Sequence, residues 1–400
     1  MPRTKTGKGA GGAGSIRKIT TTRNGKTYTY WQGRYTEGFD PGTGKQIQRS
    51  ITGKTQKEVA QKLRQITASL DDGTYKAPCK MTVGEWLDIW TQDYLMSVKP
   101  RTVDSYKTTV ERHLKPAFAA MKLDAVKPQD VQRFYNSLQV ECDDRRPLSA
   151  KSIRNIHGVF HKAMQQAVKL GYIRTNPADS CDLPRAVRKE IHPLDSESIA
   201  KFLKAASGHR YEAIYAFTLF TGLREGEVLG LLWDCVDLDR GVIIVNKQLQ
   251  KERRGKGEYH LVPTKNGKSR QLTVAPFVVE LLKKQKRLQE RQKLFAGDAW
   301  ENSNLVFTNE IGHHLSAQTV YLHFKRLAET AGYPEARFHD LRHSYAVVSL
   351  QSGDDIKTLQ ENLGHHTAAF TLDVYGHVTE QMRRNSANRM QRFIESLSKE

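Results

Sequence analysis

Cysteine is scarce in this 400-residue chain: Cys79, Cys142, Cys181 and Cys235 stand far apart, and no two form a C-x-x-C pair. That spacing argues against a structural zinc site and fits free thiols in a reducing, intracellular setting. Long apolar runs are also missing. No stretch approaches the roughly 18–20 residues of a membrane span. The start, MPRTKTGKGAGGAG, is basic and glycine-rich, with none of the apolar core of a secretory signal; it reads as a flexible arm. Acidic residues are the third deficit, 43 against 63 lysines and arginines, for a formal net charge of +20. Half of that excess falls within residues 1–76, which hold 15 basic and five acidic residues. A cation excess gathered in under a fifth of the chain points to a polyanionic partner, gripped through its backbone charge. No internal repeat is visible, and no membrane partner is expected.

What is present falls into three blocks. Residues 15–75 alternate polar with β-branched and aromatic residues around two turn signals, Asn24-Gly25 and Pro41-Gly42, predicting a three-stranded sheet. A helix follows, with Thr55 and Glu58 as a capping box and Val59, Leu63, Ile66 and Leu70 at helical spacing. Such a sheet can lay its strands in a DNA groove, with Lys18 and Arg34 as contacts; Trp31 is expected to pack the sheet. The second block opens at Thr82, capped by Glu85, and carries helical patterns to about residue 173. It reads as a bundle with basic residues such as Arg101, Lys151 and Arg154 along its helices. CDLPRAVRKEIHPLD then looks like a linker. The third block, from Ser196, is mostly helical, interrupted by GVIIVNKQLQ and by YHLVPTKNGKSRQLTV. The latter predicts a hairpin with a type I′ turn at Asn266-Gly267.

Four polar spots in the third block invite chemistry. In TGLREGEVLGLLW, Arg224 and Glu227 stand three residues apart on a helix whose other face is apolar. Lys265 sits beside the Asn-Gly turn. In HDLRHSYAV, His339, Arg342 and His343 share one helical face while Asp340 points elsewhere. LGHHTAAFTLDVYGHV brings His365 and, ten residues later, Tyr375. Taken alone, HDLRH allows three readings: a solvated helix end, a relative of the H-E-x-x-H zinc helix, or a cationic pocket for a phosphate. The zinc reading lacks the glutamate that serves there as general base, since Asp340 is one methylene short.

Together the spots resemble the tyrosine recombinases of the phage-integrase family. GLREGE, TKNGKSR, HDLRH, LGH and YGH follow the family's motifs in order over about 150 residues. The N-terminal sheet looks like the arm-binding domain of conjugative-transposon integrases. The resemblance implies a multidomain, mainly α fold with small β elements. Residues 1–76 would be an arm DNA-binding domain with 1–14 as its tail, 77–182 a helical core DNA-binding domain, 183–195 a linker and 196–400 the catalytic domain. It implies Tyr375 as nucleophile of a 3′-phosphotyrosine intermediate and Arg224, Arg342, His339 and His365 around the phosphate. Lys265 would be the general acid, and Glu227 would orient the site. His343 is left for packing, and the register Gly-His favours His365 over His366.

Neither metal nor nucleotide cofactor is expected. The implied partners are double-stranded DNA at element ends and target, three further copies of the chain in a tetramer that passes through a four-way junction, and an accessory DNA-bending or excision factor. The expected location is the bacterial cytoplasm, on DNA. The tail helix, with Met390, Phe393, Ile394 and Leu397 on one face, is expected to pack on a neighbouring protomer. A type IB topoisomerase shares this site logic without a partner site, and a DNA-binding regulator with a vestigial site would form no covalent adduct. A metallohydrolase would be sensitive to chelators.

Overall fold

In the computed structural model the chain divides into two compact units, residues 1–187 and 188–400. The residues described are 14–23, 26–73, 75, 80–141, 146–187, 193–252, 257–365, 367 and 380–397.

The first unit begins with the expected sheet: β1 (Ser15–Arg23), β2 (Lys26–Phe39) and β3 (Gln46–Gly53), antiparallel in that order. The Asn24-Gly25 turn lies outside the described residues. The second turn is built by Asp40, whose carboxylate accepts the backbone N–H groups of Gly42 (3.0 Å) and Thr43 (2.7 Å). Helix α1 (Gln56–Asp71) covers one face of the sheet, close enough that a Cβ on Gly33 would lie 2.8 Å from Val59 Cγ1. Glycine there permits the close approach. The expected capping box is half formed. Thr55 accepts the Glu58 N–H (3.2 Å), but the Glu58 carboxylate takes the Lys54 N–H (3.0 Å) and the Lys62 ammonium (2.6 Å) in place of Thr55 N–H.

The bundle follows with its own core. Helix α2 (Val83–Asp93) starts in a complete Thr82–Glu85 capping box. Helix α3 (Pro100–Thr109) runs through a π turn (Val110–Leu114) into α4 (Lys115–Phe118). The widened turn falls just before Pro116, which has no N–H to give the preceding turn, so one expected helix becomes three segments. Helices α5 (Pro128–Ser137) and α6 (Ala150–Lys169) complete the bundle around Trp86, Trp90, Tyr135 and Phe160, all essentially inaccessible. The Trp86 indole N–H is satisfied by the Ala163 carbonyl at 3.0 Å. Truncating such rings costs about 3–5 kcal/mol each. The segment expected to be a linker is held at both ends. Pro184 O accepts from Arg154 Nε (2.9 Å) within the first unit, and Leu194 N donates to Ser344 Oγ (2.8 Å) within the second.

The second unit comprises α7 (Ser196–Ala206), α8 (Glu212–Thr221), the single-turn α9 (Glu225–Leu229), short strands, then α10 (Pro276–Ala296), α11 (Ala317–Thr330), α12 (Phe338–Ser352) and α13 (Ile356–Leu363). The tail helix α14 spans Glu380–Leu397. Helix α8 is apolar almost all round and runs through the core, against Phe202, Phe307, Phe324 and Leu341.

The strands correct one expectation. β7 (Tyr259–Pro263) pairs with β6 (Lys247–Lys251), whereas β8 (Arg270–Thr273) pairs with β5 (Val242–Val245), which also pairs with β4 (Val236–Asp237). The two strands flanking Asn266-Gly267 therefore do not form a hairpin with each other. Burial of Ile243, Val245 and Leu272 commits β8 to β5, so residues 264–269 cross from one sheet to the other. The turn is also not type I′. Gly267 has φ +68° and donates to Thr264 O (2.8 Å), whereas Asn266 has no positive φ, which a type I′ turn would need at both central positions.

Candidate active site

The site is organised around three carbonyls at the end of α13. The Leu363-Gly364-His365 bend follows an Asp355-capped helix and turns at Gly364, φ +62°. Four side chains from separate segments reach its backbone. Arg342 Nη2 donates to Leu363 O (2.7 Å), Arg224 Nη2 to Gly364 O (3.3 Å), Asn266 Nδ2 to Gly364 O (3.2 Å), and Arg270 Nε to Asn362 O (2.8 Å). Motifs more than a hundred residues apart in sequence thus meet on one bend.

Arg342 is the most deeply placed cation, 2 % exposed on the first turns of α12, with Nη1 on Gly222 O at 2.6 Å. Gly222 ends α8 in the left-handed region at φ +65°, beneath the Tyr345 ring, and so turns its carbonyl to that guanidinium. Arg224, half-buried, is the N-cap of α9. Its N–H and Nη1 both go to Glu227, at 3.0 and 2.8 Å. The pairing expected from the i, i+3 spacing is therefore present.

Glu227 is wholly buried and receives a second arginine that the sequence reading did not single out. Arg270 gives Nη1 to Oε1 (3.0 Å) and Nη2 to Oε2 (2.6 Å). Burial opposes ionisation of Glu227, but the hydrogen bonds and charge of Arg270, then Arg224, overcome it and hold its pKa down to about 2. Glu225, two residues earlier, shows the contrast. Burial pushes its carboxyl up to about 7, and its Oε1 has no hydrogen-bond partner. The signal for Arg270 becomes readable only once β8 is paired with β5. Every second residue of β8 points inward, so a charged residue in that register needs a buried partner.

The histidines lie in the field of these cations. Desolvation, then His343, Arg342 and Arg224, push His339 down to about 4, although the residue is exposed to solvent. Desolvation with Arg342 and Arg224 brings His365 to about 3. His343 falls to about 4, chiefly by desolvation, and its ring meets that of His339 edge-on at 4.8 Å. Asp340, expected to point elsewhere, does so: it caps α12 and pairs with Arg337 at 2.7 Å. All three imidazoles are neutral at pH 7, able to donate or accept one hydrogen bond per nitrogen.

This has a consequence for acid stability. Each folded pKa lies below the unfolded value near 6.5, so the unfolded chain binds more protons between the two. Stability present above pH 6.5 should be lost as pH falls toward 4, with the urea midpoint of the second unit dropping steadily over that window. A midpoint that stays level from pH 7 to 4.5 would contradict this assignment. Substituting His339 and His365 by Gln together should flatten the curve.

Lys265 is exposed on the crossing segment, whose neighbours Thr264 and Asn266 are both anchored, the former by Oγ1 to Lys268 O at 2.7 Å. Tyr375 and His366 lie outside the described residues. Arg224, Arg342, His339 and His365 are thus brought together, with Lys265 on a turn tied to the same bend. Among the described residues no group of three or more His, Cys, Asp or Glu side chains could hold a metal ion. Lys18, Arg34, Arg101, Lys151 and Arg154 lie in the first unit and are all exposed. The sheet separates two of them: Lys18 stands opposite Trp31, on the face α1 covers, whereas Arg34 shares the open face with Arg17 and Tyr30. Trp31 is part-buried on the face it shares with Lys18.

One buried guanidinium, one half-buried guanidinium and neutral imidazoles gather around one bend, the kind of donor set that charge developing on the non-bridging oxygens of a phosphodiester would call for. Comparison with known proteins gives that class its family. Residues 190–382 match the model of the phage integrase family, and residues 82–139 that of the phage integrase N-terminal SAM-like domain. A XerC-like tyrosine recombinase of Caldanaerobacter subterraneus subsp. tengcongensis is 28% identical over 388 residues, covering 92% of this chain and 97% of the relative. Tyrosine recombinase XerC of Xylella fastidiosa is 30% identical, over 60% of this chain and 75% of its own. The Tn1549 transposon integrase, solved with circular intermediate DNA, superposes with a TM-score of 0.66 at 21% identity, over 78% of this chain and all of that one. The chain belongs to the phage integrase family. It is a tyrosine recombinase, a strand transferase of the kind carried by mobile elements.

Proposed function

We propose that the second unit holds the scissile phosphate of double-stranded DNA on the bend at 363–365 and that Tyr375 attacks it. The carrying observation is the meeting of Arg224, Arg342, His339 and His365 at that bend. Arg224 and Arg342 each commit N–H donors to protein carbonyls or Glu227, which fixes the orientation of each guanidinium. His339 and His365 hydrogen-bond the non-bridging oxygens, and neutral His339 can take the proton of the attacking phenol. Lys265 protonates the departing 5′ oxygen, and no metal takes part. The direct test is incubation with element-end DNA followed by a denaturing gel. A covalent adduct is expected; none on any cognate end would defeat the reading.

The bundle within 77–182 would contact core DNA through Arg101, Lys151 and Arg154. The bond from Arg154 Nε to Pro184 leaves its terminal nitrogens for that role. Residues 1–76 would contact separate arm sites through the open sheet face, where Arg34 stands; Lys18, on the other face, would reach DNA only past the edge of α1. Deleting residues 1–76 should abolish arm-site binding, spare core-site cleavage and flatten the salt dependence of affinity, because fewer counterions are released. An unchanged salt slope on full-length DNA would refute the arm assignment.

Assembly is proposed as a tetramer on two duplexes, with exchange through a four-way junction and an accessory DNA-bending factor setting direction. Met390, Phe393 and Leu397 of α14 are 58–61 % exposed, which supports packing of this face against a neighbouring protomer. Removal of residues after Arg384 should leave the remaining chain folded but weaken assembly on DNA, read by sedimentation. Undiminished tetramers would place the tail on its own unit. No described helix is long and apolar enough to cross a membrane, and the proposed location is on DNA in a bacterial cytoplasm.

A further inference from the structure

The roles implied by the strand-exchange motifs fall on Arg224, Glu227, Lys265, His339, Arg342 and His365, and leave Arg270, the last residue of TKNGKSR, without one. Its side chain is only 11 % exposed, so it is poorly placed to grip DNA as a surface lysine or arginine does. Among the described residues its polar contacts are inward: both Nη atoms on Glu227, and Nε on Asn362 O. It also underlies the bend, since a Cβ on Gly364 would come within 3.0 Å of Arg270 Nη1.

We propose that Arg270 is a positioning residue for strand cleavage: it occupies both oxygens of Glu227 and the carbonyl of Asn362, and so keeps the Arg224 guanidinium and the bend bearing His365 directed at the phosphate. This rests on the reading of Arg224 as a phosphate ligand.

The argument is a competition for one carboxylate. Arg270 binds Glu227 through two parallel N–H···O bonds, one to each oxygen, whereas the Arg224 side chain reaches it through Nη1 alone. A two-point guanidinium–carboxylate pair is the stronger arrangement. While Arg270 holds that position, Arg224 is limited to a single-point contact, and its second Nη stays on the Gly364 side. Without Arg270, the buried carboxylate has Arg224 as its remaining paired cation. The favoured geometry then becomes a two-point pair with Arg224, which turns that fork away from the phosphate. The Nε bond adds a second effect. Asn362 O lies next to the carbonyls that Arg342 and Arg224 hold, so the same side chain fixes the bend from beneath.

The test uses the full chain and three scissile linkages: the native phosphodiester, a methylphosphonate with one non-bridging oxygen replaced by methyl, and a 5′-bridging phosphorothiolate. The methylphosphonate carries one less negative charge and depends less on guanidinium stabilisation. Sulfur removes the need for a proton on the leaving group but leaves the non-bridging charge in place. Arg270→Gln is expected to slow native cleavage about 10–100-fold, the range for a group acting through another ligand. Most of that loss should be recovered on the methylphosphonate and none on the sulfur substrate. Arg270→Lys, which keeps the charge but not the fork, should show the same pattern more weakly, and it serves if the Gln variant folds poorly. Comparing rates between substrates within one preparation cancels differences in folded fraction. Equal slowing on all three linkages, or no slowing, would overturn the proposal. Recovery by Arg224→Ala but not by either Arg270 variant overturns it alone; failure of Arg224→Ala to recover would instead bring down the reading of Arg224 on which it rests.

Discussion

Tyr375→Phe should yield no covalent DNA adduct while leaving folding and DNA affinity close to those of the unmutated chain. The change removes one hydroxyl, and a phenyl ring has no oxygen to form the phosphodiester link that stores the cleaved bond's energy. The expected effect is all-or-none on a denaturing gel, with band-shift affinity as the control. Loss of both adduct and affinity would point to a folding defect. Persistent adducts would move the nucleophile to another residue, with the described tyrosines in the second unit as the first to screen. Because Arg224 and Arg342 stay in place, the Phe variant should also trap DNA complexes that are bound but uncleaved.

Lys265→Ala carries the second large effect. A 5′ alkoxide is a poor leaving group near neutral pH and needs a proton in the transition state. The proposed source is the Lys265 ammonium on the turn at 264–267. Thr264 is buried and hydrogen-bonded to Lys268 O, and Asn266 is tied to Gly364 O, so Lys265 is exposed between two fixed residues. Its removal should slow cleavage by about 10²–10⁴-fold. A 5′-bridging sulfur, which leaves readily without protonation, should restore the variant nearly to the rate of the unmutated enzyme. Arg224→Ala should remain slow on both substrates, because its proposed partner is the non-bridging charge. Lys268 is the control: it lies three residues on, is exposed as well, and presents only its backbone carbonyl to the anchored turn. Rescue of Lys268→Ala in place of Lys265→Ala would reassign the acid.

The sequence by itself determined the motifs and most of the elements. Strand alternation about two turn signals, the capping box at Thr82–Glu85, and the i, i+3 spacing of Arg224 and Glu227 are local, because period and capping depend on residues a few positions apart. The family likewise rested on short motifs in order. Tertiary structure alone decided what those motifs share. Arg224, Asn266, Arg270 and Arg342 converge on carbonyls 362–364 across separations of 21 to 140 residues, which no local pattern encodes. It also decided against the hairpin at Asn266-Gly267. A dipeptide's turn preference is modest, and the burial of Leu272 beside Ile243 and Val245 outweighs it, drawing β8 to β5. Arg270 was missed for the same reason: a lone arginine in a four-residue strand reads as surface until its partner, the buried Glu227 43 residues earlier, is brought against it. The opposite facing of Lys18 and Arg34 followed from strand register, which fixes a residue's face only once the pairing is known.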